Sequence, residues 1–498
     1  MKVLFINPPW YRLQGLEFIG VPIGITYLAA VLEKNGHNAK VWNADFKNGT
    51  RPQFASSSVY GVEDMSKHYE DYLKKLNDLD SPIWQEVRNM IKKEDPDVIG
   101  VTCYTSTYKS ALNVTKIAKD LNPNIKTILG GPHPTIMPDE TVKNETVDFV
   151  VKGEAEETIL ELVQEIEKTR TPKNVKGVLF KENGHVKHNP PRPLIENLDT
   201  LPIPARHLII DKEKYPPSVF GVFYASRGCP FQCIYCGSHN IWGRKTRFAS
   251  PEYIVNEIKT IKDEFGAYKY SFCDDTFPLN PKHANRVFEL ILKEKLDIIW
   301  NCETRANILN DGLVRNMKKA GCHSVGIGVE SGDPETLKMM KKGVTVEDMK
   351  NAARLLKKHK INLVTFFMVG FPWETKEQIE NTIRLLKELN PGMATCNVVT
   401  PAPGTELFDM VQEKGLIPKK LNWHTFYHQS PEMFITPNFT REEISKIIER
   451  AQRIFDHHNK KRSRERVFEE MDMIVKRIYK ERLYKKPSLL FNLFTNIF

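Results

Sequence analysis

Three cysteines fall within eight residues in the stretch CPFQCIYC, residues 229–236, with the spacing C-x3-C-x2-C. An apolar run at residues 222–225 predicts a strand before them, and Ser226-Arg227-Gly228 predicts the start of a loop. Three thiolates on one loop can hold three irons of a cubane iron–sulfur cluster. Because such clusters are normally held by four cysteines, the missing fourth ligand indicates chemistry at an open iron.

A zinc site is the alternative for this loop. His239 lies three residues beyond Cys236, and three cysteines with one histidine form a known tetrahedral zinc site. Structural zinc ligands more often come as two separated pairs. Spacing therefore favours the cluster but leaves both sites open.

Composition excludes several classes of protein. The chain has 498 residues, 41% of them hydrophobic and 27% charged, which is typical of about three globular domains. A net charge of +10 permits contact with an acidic surface, but no nucleic-acid-binding motif is present and no nucleic-acid partner is predicted. Eight cysteines, five of them scattered singly, predict a reducing compartment.

The termini bear on location. Residues 1–7 run directly into a predicted strand without a signal-peptide pattern, and no apolar run approaches the roughly 20 residues that span a bilayer. A cytoplasmic protein is expected. Basic helical residues precede an apolar, aromatic end at 487–498, which predicts an interfacial membrane helix or a helix that packs on the body or on a second subunit.

Residues 1–168 alternate strand-like and helical runs, which predicts a Rossmann-like, doubly wound parallel sheet. Ligands bind at the carboxyl ends of the strands in such sheets. Four glycine-rich or polar loops are expected at that edge: 7–10, 102–107, 130–135 and 153–157. Turn geometry alone explains any one glycine, but the four loops together predict a ligand-binding face. Residues 50 to about 80 predict an insertion or lid.

The remaining chain divides into three parts. Residues 169–217 predict a linker with a hairpin near 178–186 and a proline-rich segment. Residues 218–410 predict six β/α units of a partial barrel, whose chemistry lies in the loops after the strands. The three cysteines follow the first of these strands. Residues 411–498 predict a C-terminal helical region.

With the cysteine loop and barrel in place, the chain resembles the cobalamin-binding radical S-adenosylmethionine enzymes over roughly residues 1–440. This family includes methyltransferases, tetrapyrrole cyclases and lipid-modifying enzymes. The stretches that carry the resemblance are CPFQCIYC at 229–236, FCDDTF at 272–277, GIGVESG at 326–332, PAPGT at 401–405, NPP at 7–9, GGPHPT at 130–135 and GEAEET at 153–158.

The resemblance implies that Cys229, Cys233 and Cys236 hold a 4Fe-4S cluster. The open iron would chelate the amino and carboxylate groups of S-adenosylmethionine. An electron from the cluster would cleave the sulfonium to a 5′-deoxyadenosyl radical that removes hydrogen from an unactivated carbon. The protein would supply orientation and exclude water.

The resemblance also implies contacts to S-adenosylmethionine. Asp274 and Asp275 would accept hydrogen bonds from the methionine ammonium, although a helix cap or solvated loop also explains them. Tyr235 would pack by the adenine, or serve packing alone. Glu303 and Arg305 would contact ribose or carboxylate, although single arginines usually form surface ion pairs.

Glu330 would bind ribose or substrate, and the N-terminal sheet would bind cobalamin. The implied cobalamin contacts are Asn7, Pro8, Thr102, Gly130, Gly131, His133, Gly153 and Glu154. The D-x-H-x-x-G sequence that supplies a cobalt ligand elsewhere is absent, and neither His37 nor His133 has that context. The resemblance allows cobalamin without a histidine ligand, or a domain that has lost the cofactor.

Three functions follow as hypotheses. The first is methyl transfer to an unactivated carbon of a small, hydrophobic or lipid-like substrate. The second is ring or C–C bond formation on a lipid or tetrapyrrole, and the third is a non-catalytic metal- or cobalamin-binding sensor. The enzymes would need an electron donor such as ferredoxin or flavodoxin. His424, Tyr427 and His428 could line the substrate pocket and supply a proton or hydrogen atom, or form an aromatic docking turn.

Overall fold

The computed structural model describes residues 1–15, 20–46, 62–169, 171–426 and 435–480. The strands of its first sheet are β1 (Lys2–Asn7), β2 (Asn38–Asn43), β3 (Val98–Thr102), β4 (Lys126–Gly130), β5 (Phe149–Val151), β6 (Val178–Glu182) and β7 (His185–His188). They lie in the order β2-β1-β3-β4-β5-β6-β7. The strands β1 to β5 are parallel, which confirms the predicted doubly wound sheet, with its order reversal between β1 and β3.

Helices cover both faces of this sheet. They are α1 (Ile23–Lys34), α2 (Val62–Asn77), α3 (Pro82–Glu94), α4 (Tyr108–Leu121), α5 (Pro132–Ile136), α6 (Pro138–Lys143) and α7 (Glu156–Lys168). The first turn of α7 carries Glu156 and Glu157, and carboxylates stabilise the positive end of a helix. One face of α7 then buries Ile159, Leu162 and Val163 against the sheet.

The segment predicted as an insertion or lid is in part a packed helix. In α2, Tyr72 and Leu76 are buried, and Asn113 Nδ2 donates to the Leu76 carbonyl at 2.7 Å. This half of the segment is therefore fixed on the first domain. Residues 47–61 lie outside the described residues.

The predicted linker contributes to both neighbouring domains. Its hairpin, β6 and β7, extends the first sheet in antiparallel fashion, with Phe180 opposite Phe149. Farther along, Arg206 forms a buried ion pair with Glu257, with Nη2 and Oε1 2.6 Å apart. The hairpin therefore belongs structurally to the first sheet, while the rest of 169–217 contacts both domains, since Ala205 N and Ile210 N also donate to the Thr26 and Val41 carbonyls of the first domain.

The second sheet is a six-stranded partial barrel. Its strands are β8 (Val222–Phe223), β11 (Lys269–Phe272), β12 (Ile299–Thr304), β13 (Cys322–Glu330), β14 (Asn362–Val369) and β15 (Met393–Val398), while β9 (Ser226–Arg227) and β10 (Arg247–Phe248) form a small antiparallel ribbon. The six strands are parallel and lie in chain order from β8 to β15, as predicted.

Helices surround the open barrel. They are α8 (Ser238–Trp242), α9 (Pro251–Phe265), α10 (Pro281–Lys293), α11 (Asp311–Lys319), α12 (Pro334–Met339), α13 (Val346–Lys358), α14 (Lys376–Leu389), α15 (Glu406–Glu413) and α16 (Arg441–Lys480). Side-chain caps fix several starts. Thr345 and Asp348 form a reciprocal capping box at α13, which satisfies two otherwise unpaired backbone donors.

The last helix covers the free edge of β15. The Asn459 side chain of α16 accepts from Ala394 N at 2.9 Å and donates to Ala394 O at 2.8 Å. Phe455 packs edge-on against Phe367 with ring centroids 5.1 Å apart. The predicted C-terminal helical region thus contains one continuous helix from Arg441 to Lys480. Within the described ranges, no helix is long and apolar enough to cross a membrane.

Candidate active site

The cysteine loop, residues 228–237, follows β8 and β9 at the carboxyl ends of the barrel strands. Its cysteine thiols are free and partly buried. Backbone bonds hold its centre: Ile234 N donates to the Met340 carbonyl at 3.1 Å, and Leu407 N donates to the Ile234 carbonyl at 2.9 Å. The loop is therefore fixed between the segments that follow β13 and β15.

The geometry of this loop disfavours zinc. Among the described residues, no group of three or more His, Cys, Asp or Glu side chains is placed to share one metal ion. His239 Nδ1 bonds the Cys236 carbonyl at 3.1 Å, which engages one nitrogen of the proposed fourth ligand. A cubane cluster does not require convergence, because each thiolate binds a different iron.

Two side chains touch the predicted cluster ligands. Thr276 Oγ1 lies 3.9 Å from Cys229 Sγ, and Arg305 Nη1 lies 3.6 Å from Cys233 Sγ. Asp275 accepts from Ser238 Oγ at 2.5 Å, two residues beyond Cys236. The loops after β11 and β12 therefore meet the cysteine loop, as the barrel prediction requires.

Asp274 binds the segment that leads into the cysteine loop. Ala225 N donates to one of its carboxylate oxygens at 3.1 Å, and Ser226 Oγ donates to the other. Burial raises the pKa of Asp274 to about 7 against the lowering effect of these hydrogen bonds. Because both oxygens are engaged within the protein, the structure favours a positioning role over the predicted ammonium contact. Asp275 is more open and keeps its predicted role.

Tyr235 and Glu330, predicted separately, lie together. Tyr235 Oη donates to Glu330 Oε1 at 3.0 Å, and Lys342 Nζ donates to the same oxygen at 2.8 Å. Glu330 adopts a left-handed backbone conformation with φ of 62° at the end of β13, a strained geometry for a side chain with a Cβ. The sequence reasoning missed Lys342, and no motif spacing distinguished it from the lysines around it.

Arg305 is not a free carboxylate clamp in this structure. Its guanidinium lies over the Phe231 ring, 3.7 Å from the centroid, and Nη2 bonds the Lys342 carbonyl. Glu303, two residues earlier, instead faces the barrel interior. A Cβ placed on Gly326 would meet Glu303 Cγ at 3.1 Å, so this glycine leaves room beside the carboxylate.

Side chains of the sheet edge and of the barrel approach each other near Tyr104. Tyr104, in the loop after β3, is 55% exposed, and the Cys273 and Glu303 side chains are also reached by solvent. Nevertheless, desolvation raises the pKa of all three, that of Cys273 to about 11. The Cys273 charge also raises the pKa of Tyr104, although the two belong to different domains. The side chains of Tyr104 and Cys273 therefore lie near each other where the sheet edge meets the barrel.

Glu154, predicted as a cobalamin contact, joins the two domains. Arg227 Nη1 donates to Glu154 Oε1 at 2.8 Å, and Arg247 Nη1 donates to Glu154 Oε2 at 2.8 Å. Ile195 N donates to Oε2 at 2.7 Å. The other Arg227 nitrogen pairs with Glu156 at 2.5 Å. All four charged side chains are buried, so Glu154 lies in an interdomain ion-pair network, and its contact to cobalamin stays a prediction.

His133 is also enclosed by protein. The ring has 0% exposure and lies between Tyr108 and Trp423, with centroids 4.2 and 5.2 Å away. Nδ1 lies 3.2 Å from Thr105 Oγ1, while Nε2 is buried without a partner. Burial lowers its pKa to about 4. His37 precedes β2 and so lies at the opposite edge. Neither histidine is therefore placed to bind cobalt at the carboxyl ends of the strands.

The other predicted cobalamin residues lie at the expected sheet edge. Asn7 ends β1 and donates from Nδ2 to Asn43 Oδ1 at 2.9 Å, and Pro8 is buried after it. Thr102 ends β3, and Gly130 ends β4. Gly131 has φ of 106°, and a Cβ there would lie 3.0 Å from the Cys103 carbonyl. Gly153 has φ of 76° with open space around it.

The predicted His–Tyr cluster is described only in part. Trp423, which precedes His424, donates from Nε1 to Glu140 Oε1 at 2.5 Å, and Phe426 is buried. This turn docks on the first domain, as the alternative interpretation expects. His424 is half-buried and stays a predicted pocket residue. Tyr427 and His428 lie outside the described residues.

Known proteins share both halves of this arrangement. The profile of the Radical SAM superfamily matches residues 223–386, and that of the B12 binding domain matches residues 13–163. An uncharacterised methyltransferase of Pyrococcus horikoshii is 35% identical over 92% of this chain and 95% of its own. The anaerobic magnesium-protoporphyrin IX monomethyl ester cyclase of Rubrivivax gelatinosus is 31% identical over 83% of this chain and 70% of its own.

A solved structure has the same fold. The radical S-adenosylmethionine methyltransferase TsrM of Kitasatospora setae, with cobalamin and a [4Fe-4S] cluster bound, gives a TM-score of 0.69 at 16% identity over 91% of each chain. Fold and site together define an iron–sulfur barrel enzyme joined to a cobalamin-type sheet. The chain belongs to the cobalamin-dependent radical S-adenosylmethionine enzymes, a family of methyltransferases and cyclases. It is an enzyme, which removes the sensor alternative.

The family's cofactors are a 4Fe-4S cluster, S-adenosylmethionine and cobalamin, as predicted. The chemistry of three free thiols on one fixed loop fits the cluster. The open space at Gly153 and the exposed Tyr104 ring fit a large cofactor over the first sheet. The buried His133 fits cobalamin held without a histidine ligand.

Proposed function

We propose that this enzyme transfers a methyl group to an unactivated carbon of a small molecule bound between the sheet edge and the barrel. The observation that supports this most is the juxtaposition of Tyr104, from the sheet edge, with Cys273, from the barrel. When bound, S-adenosylmethionine at the cluster supplies a hydrogen-abstracting radical, and cobalamin supplies the methyl group. The protein's task is to hold both reactants on either side of the substrate, between the sheet edge and the barrel.

The chain's own residues divide that task. Asp274 and Arg305 fix the cysteine loop. Tyr235, Asp275, Glu303 and Glu330 are the proposed S-adenosylmethionine contacts, with Lys342 orienting Glu330.

Product analysis tests methyl transfer. Anaerobically reconstituted protein, reduced in the presence of S-adenosylmethionine, should form 5′-deoxyadenosine. With substrate present, S-adenosylhomocysteine should accumulate alongside it. Formation of 5′-deoxyadenosine and a modified product without S-adenosylhomocysteine would contradict methyl transfer.

Ring or C–C bond formation is the second candidate, favoured by the 31% identity to a cyclase over 83% of the chain. In that case the product contains a new bond within the substrate and no added carbon. Mass spectrometry with S-adenosylmethionine labelled in the methyl group separates the two functions. Methyl label retained in the product identifies methyl transfer, and a modified product without label identifies ring or C–C bond formation within the substrate.

An acidic one-electron donor such as ferredoxin or flavodoxin is the proposed redox partner. Pro230 and Gln232 of the cysteine loop are exposed. Beside them, the exposed Arg244 donates to the Phe231 carbonyl at 2.8 Å. Arg244→Glu should slow flavodoxin-driven turnover while leaving dithionite-driven turnover unchanged, because only the protein donor must dock. A flavodoxin-driven rate of Arg244→Glu equal to that of the wild type would contradict this docking site.

A lipid-like substrate and peripheral membrane contact rest on the sequence of residues 487–498, outside the described residues. Apolar and aromatic residues after a basic helix are typical of interfacial binding. Full-length protein should sediment with anionic liposomes, and a chain ended before Pro487 should not. Equal sedimentation of both forms would remove the membrane proposal.

A further inference from the structure

Arg305 lies directly against a predicted cluster ligand. Its Nη1 is 3.6 Å from Cys233 Sγ, within range of an N–H···S hydrogen bond. The side chain follows β12 and is buried, with a relative exposure of 5%. Because a buried cation is costly without nearby negative charge, this position suits an arginine that faces a thiolate.

Two further contacts fix the direction of that hydrogen bond. Nη2 bonds the Lys342 carbonyl, and the guanidinium plane lies over Phe231 with its carbon 3.7 Å from the ring centroid. Stacking on an aromatic face stabilises a guanidinium. Phe231 itself belongs to the cysteine loop, so Arg305 contacts that loop through both a ring and a sulfur.

We propose that Arg305 is a positioning residue that sets the reduction potential of the cluster through Cys233. Reduction adds one electron, delivered by the external donor, to the cluster and its thiolates without a proton. The added negative charge spreads onto the sulfurs. A buried cation that donates a hydrogen bond to one sulfur stabilises the reduced form, because hydrogen bonds to sulfur set cluster potentials and the surroundings screen charge weakly.

This inference rests on the cluster assignment of the proposed function but not on methyl transfer. It also differs from the clamp expected from sequence, in which Arg305 binds the carboxylate of S-adenosylmethionine. A clamp would change the affinity for that molecule and leave the potential of the cluster alone unchanged. The two roles are therefore separated by a titration performed without S-adenosylmethionine.

The test is a potentiometric titration of reconstituted protein, followed by the electron paramagnetic resonance signal of the reduced cluster. Arg305→Met removes both the donor and the charge at similar length. Arg305→Lys keeps a charge but loses the planar fork. Arg244→Met is the matched control. Arg244 also contacts the cysteine loop, but it is exposed and donates to the backbone carbonyl of Phe231 rather than to a cysteine sulfur.

We expect a midpoint shifted to more negative potential in Arg305→Met, a smaller shift in Arg305→Lys and the smallest in Arg244→Met. The signal comes only from molecules that carry a cluster, so incomplete loading leaves the midpoint measurable. If Arg305→Met takes up no cluster, a wild-type midpoint in Arg305→Lys overturns the inference, and a negative shift there supports it.

Other outcomes are equally decisive. A wild-type midpoint in loaded Arg305→Met, with weakened binding of S-adenosylmethionine, overturns the inference in favour of the clamp. Equal shifts in Arg305→Met and Arg244→Met overturn it in favour of general surface charge. A wild-type chain that binds no cluster would instead overturn the proposed function, and this inference with it.

Discussion

Replacing Glu154 with Gln tests the buried network that joins the two domains. In the wild type, two arginines and two glutamates balance their charges, and Glu154 accepts from Arg227, Arg247 and Ile195 N. The Glu154 side chain is 1% exposed, and those of the arginines are 4% and 3% exposed. Gln keeps the shape but leaves one positive charge uncompensated in the interior.

The expected cost is about 3–5 kcal/mol, the range found when one partner of a buried ion pair is removed. Glu157→Gln, in the adjoining first turn of α7, is the matched control. Glu157 also pairs with an arginine, Arg192, at 2.9 Å, but its side chain is 59% exposed. Exposed pairs contribute about 0–1 kcal/mol, so the control should differ little from the wild type.

Urea unfolding followed by tryptophan fluorescence measures the difference. Trp242 stacks with Arg227, 5.0 Å from the guanidinium carbon to the ring centroid, and so reports on the network itself. Burial acts to raise the pKa of Glu154, but the hydrogen bonds from Arg247 and Arg227 outweigh it and hold the pKa below its ordinary value. The carboxylate therefore contributes stability above the unfolded pKa of about 4.3, and that contribution is lost as pH falls through the lower folded value.

The penalty of Glu154→Gln should accordingly be full near pH 7 and shrink in acid below about pH 4. Free energies of unfolding for Glu154→Gln and Glu157→Gln that agree to within about 1 kcal/mol would refute the network as a source of stability. A penalty that stays constant down to pH 3 would refute the electrostatic explanation alone.

Three further substitutions test single side chains. Cys233→Ala should lose the cluster and all turnover, while the control Cys273→Ser, outside the loop, should retain its iron. The iron and sulfide content of each variant measures cluster loading, and full loading of Cys233→Ala would contradict the proposed cluster ligands. Tyr235→Phe removes the hydroxyl that donates to Glu330 and should weaken S-adenosylmethionine binding about tenfold, or about 1.4 kcal/mol, as measured by equilibrium dialysis. Tyr270→Phe, whose hydroxyl bonds only backbone carbonyls, is its control, and equal affinities would refute the contact. Asp274→Asn should flatten the pH dependence of the free energy of unfolding. The folded pKa of Asp274, about 7, lies above the unfolded value of about 3.9, so the wild type loses stability as pH rises between the two values. Identical pH profiles of the variant and the wild type in urea unfolding would show that Asp274 does not titrate as described.

The architecture was predictable because strand alternation and the cysteine spacing are local signals. The parallel sheet, the six barrel strands and the cysteine loop after the first strand follow from such patterns. The hairpin at β6 and β7 was placed in a linker, because its pairing with Phe149 of β5 is a contact that no local pattern specifies.

Site residues were predictable from the sequence where they lie in or beside a motif. They were less predictable where the role of a side chain depends on a hydrogen-bond or ion-pair partner that is distant in the chain. Tyr235 and Glu330 were named separately, but their shared partner Lys342 follows no motif. Glu154 was assigned to a cofactor because it lies in a loop at the ligand edge of the sheet. Its ion-pair partners, Arg227 and Arg247, are over 70 residues away in the chain, and only the tertiary fold brings them to it.

The amide of Asn459 has a consequence for association between molecules. A partial barrel has a free edge, and an uncovered row of backbone donors and acceptors can pair with a strand from another copy. At Ala394 the two amide atoms of Asn459 take the place of a neighbouring peptide group, and α16 occupies the space where a foreign strand would lie. The C-terminal helix thus protects the barrel from edge-to-edge aggregation, and a chain shortened before residue 441 would expose β15 to it.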